Sequence, residues 1–216
     1  MRNDVIQSIS DNKLIAIIRS VDEDKLVPLA EALYNGGVRL MELTYDNMGK
    51  TSDRSTAQNI AMLKKHFAHT MHIGAGTVTN TDRVHLTYEA GGEFIISPDT
   101  NPKVIEATLQ CEMVSIPGAL TPTEIQTAHN CGADFVKLFP ATNMGPEYVK
   151  ALLAPLSNIR LLAVGGINLS NISDYLTAGI WGFGIGSNIT DKKLIADGNY
   201  DAITSLAEEY VKAVRR

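Results

Sequence analysis

Short apolar runs alternate with amphipathic stretches from one end of the chain to the other, and that alternation sets the expected fold. Leu14–Arg19, Val38–Thr44, Met71–Thr77, Glu93–Pro98, Met113–Pro117, the run around Val136–Leu138, Arg160–Val164 and Trp181–Ser187 read as strands. Between them, apolar positions recur at helical spacing, as in Leu26, Leu29, Ala30 and Leu33, or Ile203, Leu206, Ala207, Tyr210 and Val214. Asn101-Pro102 and the capping box Thr121-Pro122-Thr123-Glu124 start helices, while Asn35-Gly36-Gly37, Gly91-Gly92 and Ala178-Gly179 stop them. A short helix over Asn3–Ile9 precedes the first strand. Eight strands, each followed by a helix, are serial βαβ units, and one (β/α)8 TIM barrel spanning residues 1–216 is the economical closure. An open doubly wound sheet is the alternative, because periodicity does not itself close a sheet.

Two charges break the apolar pattern. In Gly132-Ala133-Asp134-Phe135-Val136-Lys137-Leu138-Phe139-Pro140, Lys137 shares a strand face with Phe135 and Phe139, which places its amine between two aromatic rings. Desolvation there lowers a lysine pKa and yields a free amine able to attack a carbonyl. A lysine near a strand end also has a plain reading: it snorkels to water or pairs with a carboxylate. Glu42 is the second odd charge, on one face with Leu40 and Thr44.

The other unusual residues fall at carboxyl ends of strands, where barrels carry their chemistry. Arg19, Thr77 after Gly74-Ala75-Gly76, Pro98, Gly165-Gly166 and Gly186-Ser187 all stand there. The last two pairs follow the seventh and eighth strands, where glycine amides often hold phosphate. Either pair alone reads equally well as a turn needing positive φ. Tyr45–Ser55 is polar and reads as an enlarged loop over the site.

Composition narrows the partners. With 216 residues, 44% of them hydrophobic, the chain suffices for one sizeable core. A net charge of -5 without a basic block argues against nucleic acid or an anionic membrane, and leaves room for a small anionic ligand. No stretch has the length of a membrane span or a signal-peptide core, so a cytoplasmic protein is expected. Cys111 and Cys131 fit neither metal nor redox spacing and read as small buried thiols near element ends. His66, His69 and His72 do not share a helical face, so no metal site is expected.

Glu42-Leu43-Thr44, Gly74-Ala75-Gly76-Thr77, Ile96-Ser97-Pro98, Ile116-Pro117-Gly118, Lys137-Leu138-Phe139-Pro140 and Val164-Gly165-Gly166-Ile167 together resemble the 2-keto-3-deoxy-6-phosphogluconate and 4-hydroxy-2-oxoglutarate aldolases, a class I family. The resemblance implies a cytoplasmic homotrimer, free of metal and cofactor, acting on a small keto acid, either a 2-keto-3-deoxy-6-phospho sugar acid or 4-hydroxy-2-oxoglutarate. It implies Lys137 as the Schiff-base lysine and Glu42 as the proton carrier. Thr77, Pro98 and Phe139 would shape the keto-acid pocket, Gly165, Gly166, Gly186 and Ser187 would bind phosphate, and Arg19 matches a basic residue ending the first strand. One position departs from the pattern. The family places an arginine for the substrate carboxylate four residues after the glutamate, and this chain has Asp46 there. The phosphogalactonate branch also lacks that arginine and resembles this chain in Val164 and Gly145–Lys150. Two other readings stand beside aldol cleavage: a phosphosugar epimerase or isomerase using Glu42 as base, and a non-catalytic sugar-acid binder.

Overall fold

The computed structural model describes residues 2–215. The strands are β1 (Leu14–Ile18), β2 (Leu40–Thr44), β3 (His72–Gly76), β4 (Phe94–Ile96), β5 (Val114–Ile116), β6 (Gly118–Ala119), β7 (Val136–Leu138), β8 (Leu161–Val164) and β9 (Gly182–Ile185). The helices are α1 (Arg2–Asn12), α2 (Glu23–Asn35), α3 (Asp53–Phe67), α4 (Thr81–Glu89), α5 (Pro102–Gln110), α6 (Pro122–Asn130), α7 (Gly145–Leu153), α8 (Ile172–Thr177), α9 (Lys192–Ala196) and α10 (Tyr200–Val214). Every strand pairing is parallel, in the order β5-β4-β3-β2-β1-β9-β8-β7-β6.

Nine strands stand where eight are expected, because the fifth is split at Pro117. Proline brings no N–H to a ladder. The halves divide their partners, with β5 pairing β4 and β6 pairing β7. Lys137 N–H donates to the Pro117 carbonyl at 2.8 Å and Asp134 N–H to Ser115 O at 3.0 Å, so hydrogen bonds run across the split. The result is a (β/α)8 barrel, and the open-sheet alternative is set aside.

The strands' alternation sorts their side chains into two cores. Outward residues such as Leu14, Ala16, Ile18, Met41, Leu43 and Phe183 pack under the helices. Inward residues Ile15, Leu40, Phe94, Ile96, Val114, Ile116, Phe135 and Leu162 fill the barrel, and Val5 and Ile9 of α1 plug its amino-terminal end. The leading helix is longer than its apolar pattern suggests, since its last turn is polar. A short helix, α9, lies between the last strand and α10 in a stretch without a helical apolar pattern; Asp191 caps it, accepting from Lys193 and Leu194 N–H.

Cys111 and Cys131 are free and only half-buried, each at a helix C-cap, rather than the buried thiols expected. His66 takes Glu31 and His72 takes Glu93, so the histidines serve separate carboxylates. Among the described residues, no helix is long and apolar enough to cross a membrane.

Candidate active site

Strands β2 and β7 stand four places apart around the ring, so they face each other across the barrel axis. Each sends one charged side chain inward just below the carboxyl-terminal mouth. Glu42 is 2% exposed and Lys137 7% exposed. Space for the Glu42 carboxylate comes from the neighbouring strand: a Cβ on Gly76 would collide with Glu42 Oε1 and lie 2.7 Å from Cδ. That glycine therefore makes room for the buried carboxylate.

Neither charge is compensated as a buried charge normally is. Glu42 Oε2 is buried with no hydrogen-bond partner. The ion pairs of the described residues that have a buried partner lie elsewhere, at Arg2–Asp134, Lys64–Glu93, His72–Glu93 and Arg83–Asp53. Burial pushes the Glu42 carboxyl up to about 7, against the opposing pull of Lys137 and then Arg19. Burial also pushes Lys137 below the ordinary lysine range; Glu42 opposes that fall and Arg19 adds to it. An amine easily freed of its proton thus faces a carboxyl that exchanges protons near neutrality.

The Lys137 Nζ lies 4.7 Å from the centre of the Phe139 ring. The second ring expected beside it is engaged elsewhere: Arg160 stacks on Phe135 at 4.3 Å, at the opposite end of the strand. The lysine is thus bordered by one ring and not held between two. Phe139 itself is 39% exposed, just past the end of β7.

All ten residues singled out from the sequence line one cavity of about 630 Å³: Lys137, Glu42, Arg19, Thr77, Pro98, Phe139, Gly165, Gly166, Gly186 and Ser187. Thr77, after β3, and Gly165-Gly166, after β8, stand on facing walls. Thr77 holds a left-handed φ of 60°, a strained conformation for a residue with a side chain.

At the glycine wall, φ is 95° for Gly165 and 75° for Gly166. The Gly165 carbonyl accepts from the Thr142 hydroxyl at 3.1 Å, and the Gly166 carbonyl accepts from the carboxamides of Asn168 and Asn171. A trans peptide holds N–H and C=O antiparallel. The amides of Gly166 and Ile167 consequently point away from those side chains. Asn188 Nδ2 donates to Ile167 O at 2.7 Å and ties this loop to the Gly186-Ser187 turn. The pair of loops is suited to an anion.

Sequence reasoning missed several wall residues. Asn47, Asn188, Thr190 and Lys192 also line the cavity. Lys192 stands next to the α9 cap, and Asp191-Lys192 soon after Gly186-Ser187 was an available signal for a cation near the phosphate-type turn. Asp46 does not offer its charge to the cavity: its carboxylate accepts from the backbone N–H groups of Met48, Lys50 and Thr51. Those hydrogen bonds hold it below the usual carboxylate range.

An easily freed lysine opposite a carboxyl at a barrel mouth defines a carbonyl-processing enzyme of the Schiff-base class. Comparison with known proteins narrows this. Residues 5–206 match the family described as KDPG and KHG aldolase. A 2-dehydro-3-deoxy-phosphogluconate aldolase of Haemophilus influenzae is 31% identical over 213 residues, covering 98% of this chain and 97% of that one. A 2-dehydro-3-deoxy-6-phosphogalactonate aldolase of Escherichia coli is also 31% identical, with 94% of each chain covered. The Legionella pneumophila KDPG aldolase, solved with pyruvate captured as a covalent carbinolamine, superposes with a TM-score of 0.84 at 28% identity, covering 94% of this chain and 96% of that one. The chain belongs to the KDPG and KHG aldolase family.

Proposed function

We propose that this protein is a metal-independent class I aldolase that cleaves a 2-keto-3-deoxy-6-phospho sugar acid, or 4-hydroxy-2-oxoglutarate, to pyruvate and an aldehyde. One observation carries the reading: Lys137 and Glu42 are buried opposite each other in a single cavity, with the lysine pushed down and the carboxyl pushed up to about 7. The solved relative with a pyruvate carbinolamine supports it.

In the proposed reaction, the neutral Lys137 amine attacks the C2 ketone and forms a carbinolamine. Protonated Glu42 supplies the proton with which the hydroxyl departs as water, leaving an iminium. The Glu42 carboxylate, through a water, then takes the proton of the C4 hydroxyl. The C3–C4 bonding electrons move into the iminium, and the aldehyde leaves. Reprotonation at C3 and hydrolysis of the iminium return pyruvate and the free amine. Because the iminium is the electron sink, the chemistry requires no metal ion.

The substrate lies across the mouth in this reading. Thr77 and Pro98 border the keto-acid end, Gly165, Gly166, Gly186 and Ser187 hold the phosphate on the facing side with Lys192 nearby, and the Phe139 ring, packed against Gly165, lies between Lys137 and the glycine wall. Arg19 stands at the rim and adds positive charge. The relatives include enzymes named for phosphogluconate and for phosphogalactonate substrates, at the same 31% identity. Cleavage rates on the two stereoisomers, with and without phosphate, assign the preference. A cytoplasmic homotrimer follows from the family resemblance, and light scattering with size exclusion tests the assembly.

The direct test is reduction with borohydride in the presence of pyruvate, followed by peptide mapping. Wild type gains a pyruvate-derived mass on the Lys137 peptide, and Lys137→Met gains none. Labelling that persists in Lys137→Met removes the assigned nucleophile.

A further inference from the structure

A buried arginine that the proposed chemistry leaves unused organises the loop between β2 and α3. Arg83, in the first turns of α4, is 7% exposed. Its guanidinium donates to Asp53 Oδ2 at 2.9 Å, to Asn47 Oδ1 at 2.5 Å, to Thr77 O at 3.0 Å and to Asp46 O at 3.1 Å. It also lies 5.1 Å from the centre of the Tyr45 ring. One side chain therefore fastens the loop after β2 to the strained residue after β3.

That clamp decides which end of Asn47 faces the cavity. A guanidinium only donates, so the carboxamide oxygen must face Arg83 and the Nδ2 amide turns the other way. Among the described residues, Asn47 Nδ2 has no protein acceptor, and Asn47 lines the main cavity. Asn47 and Thr77 also border a side cavity of about 230 Å³, and with Arg19 and Val21 they stand between the two spaces. The Asp46 carboxylate meanwhile is folded onto its own loop.

We propose that Asn47 binds the substrate by donating from Nδ2 to the keto-acid carboxylate, and that Arg83 is the positioning residue that sets this donor beside Thr77. The proposal rests on the aldolase reading and assigns the carboxylate end of the substrate to the wall facing the glycine loops. A neutral amide thereby takes the duty for which the family pattern uses a charged arginine.

The experiment compares borohydride trapping at graded concentrations of pyruvate and of hydroxyacetone, a ketone with no carboxylate. Asn47→Asp keeps the size and strengthens the contact to Arg83, but puts an acceptor where the donor was. The expected result is a half-saturating pyruvate concentration raised roughly 10- to 100-fold, the scale of losing a hydrogen bond to a charged group, with a far smaller change for hydroxyacetone, which reads any effect of the new charge on Lys137. Asn47→Ala shifts the pyruvate response in the same direction by a smaller factor. Arg83→Lys, which cannot hold both Asn47 and Thr77 in one fork, also raises half-saturation for pyruvate and not for hydroxyacetone. Wild-type half-saturation for pyruvate in Asn47→Asp overturns the assignment, and so does an equal loss with both ketones. If wild type itself traps neither ketone, the aldolase reading fails instead.

Discussion

The barrel buries two glutamates, and they are treated in opposite ways. Glu93 enters β4 at the amino-terminal rim, 8% exposed, where Lys64 donates to it at 2.6 Å and His72 and the Ile73 amide lie at 3.2 Å. Burial alone pushes its carboxyl up, but the His72 and Lys64 hydrogen bonds and charges reverse this and leave it below the ordinary value. Glu42, at the other rim, keeps one oxygen without a partner and rises to about 7. Burial is common to both, so partners make the difference. The amino-terminal end is closed by α1, where Arg2 pairs with Asp134 through one guanidinium nitrogen although its buried Nε has no partner; at the mouth, a carboxylate oxygen of Glu42 stays buried and unpaired beside the cavity.

Substitutions at the two glutamates separate those roles. Glu42→Gln removes the proposed proton carrier, and kcat should fall about 10²- to 10⁴-fold with the fold retained. Steady-state kinetics checks this, and wild-type turnover in that variant excludes Glu42 from the chemistry. Gly76→Ala drives a methyl into the Glu42 carboxylate and should lower kcat by about 10²-fold, the scale of a displacement of roughly 1 Å, while Lys137 still traps pyruvate. Glu93→Gln should leave kcat unchanged and cost about 1–3 kcal/mol of stability, a fall in Tm of roughly 3–10 °C, discounted because Lys64 is partly exposed.

The same contrast sets opposite pH dependences of stability. Glu93, whose folded pKa lies below 4.5, contributes stability that is present above that value and lost as pH falls through the folded pKa. Glu42, with a folded value near 7 against 4.5 when unfolded, gives a penalty that appears as pH rises from 4.5 to 7. Glu42→Gln should therefore be more stable than wild type above pH 7, on the order of 3 kcal/mol, and lose that advantage toward pH 4.5. Denaturant melts across this range check the sign.

Much of this was legible in the chain because charges in apolar strands conflict with burial, and conflicts of that kind mark function. Glu42 and Lys137 are such conflicts, and strand-end position gathered Arg19, Thr77, Pro98 and the glycine pairs around them. Residues whose role depends on a partner distant in sequence were hidden. Asn47 is one polar residue among many in its loop, and only the Arg83 contact from α4 fixes which end faces the cavity. Phe135 looked equivalent to Phe139, but its ring is covered by Arg160 from the start of the next strand. The break at Pro117 was written in the sequence, yet its effect, a strand divided between two neighbours, depends on the closed ring.

A carboxyl titration of carbon-13 glutamate-labelled protein, assigned with Glu42→Gln and Glu93→Gln, tests the contrast most directly. Glu42 should titrate near 7 and Glu93 below 4.5. Two glutamates titrating together near 4.5 would contradict it.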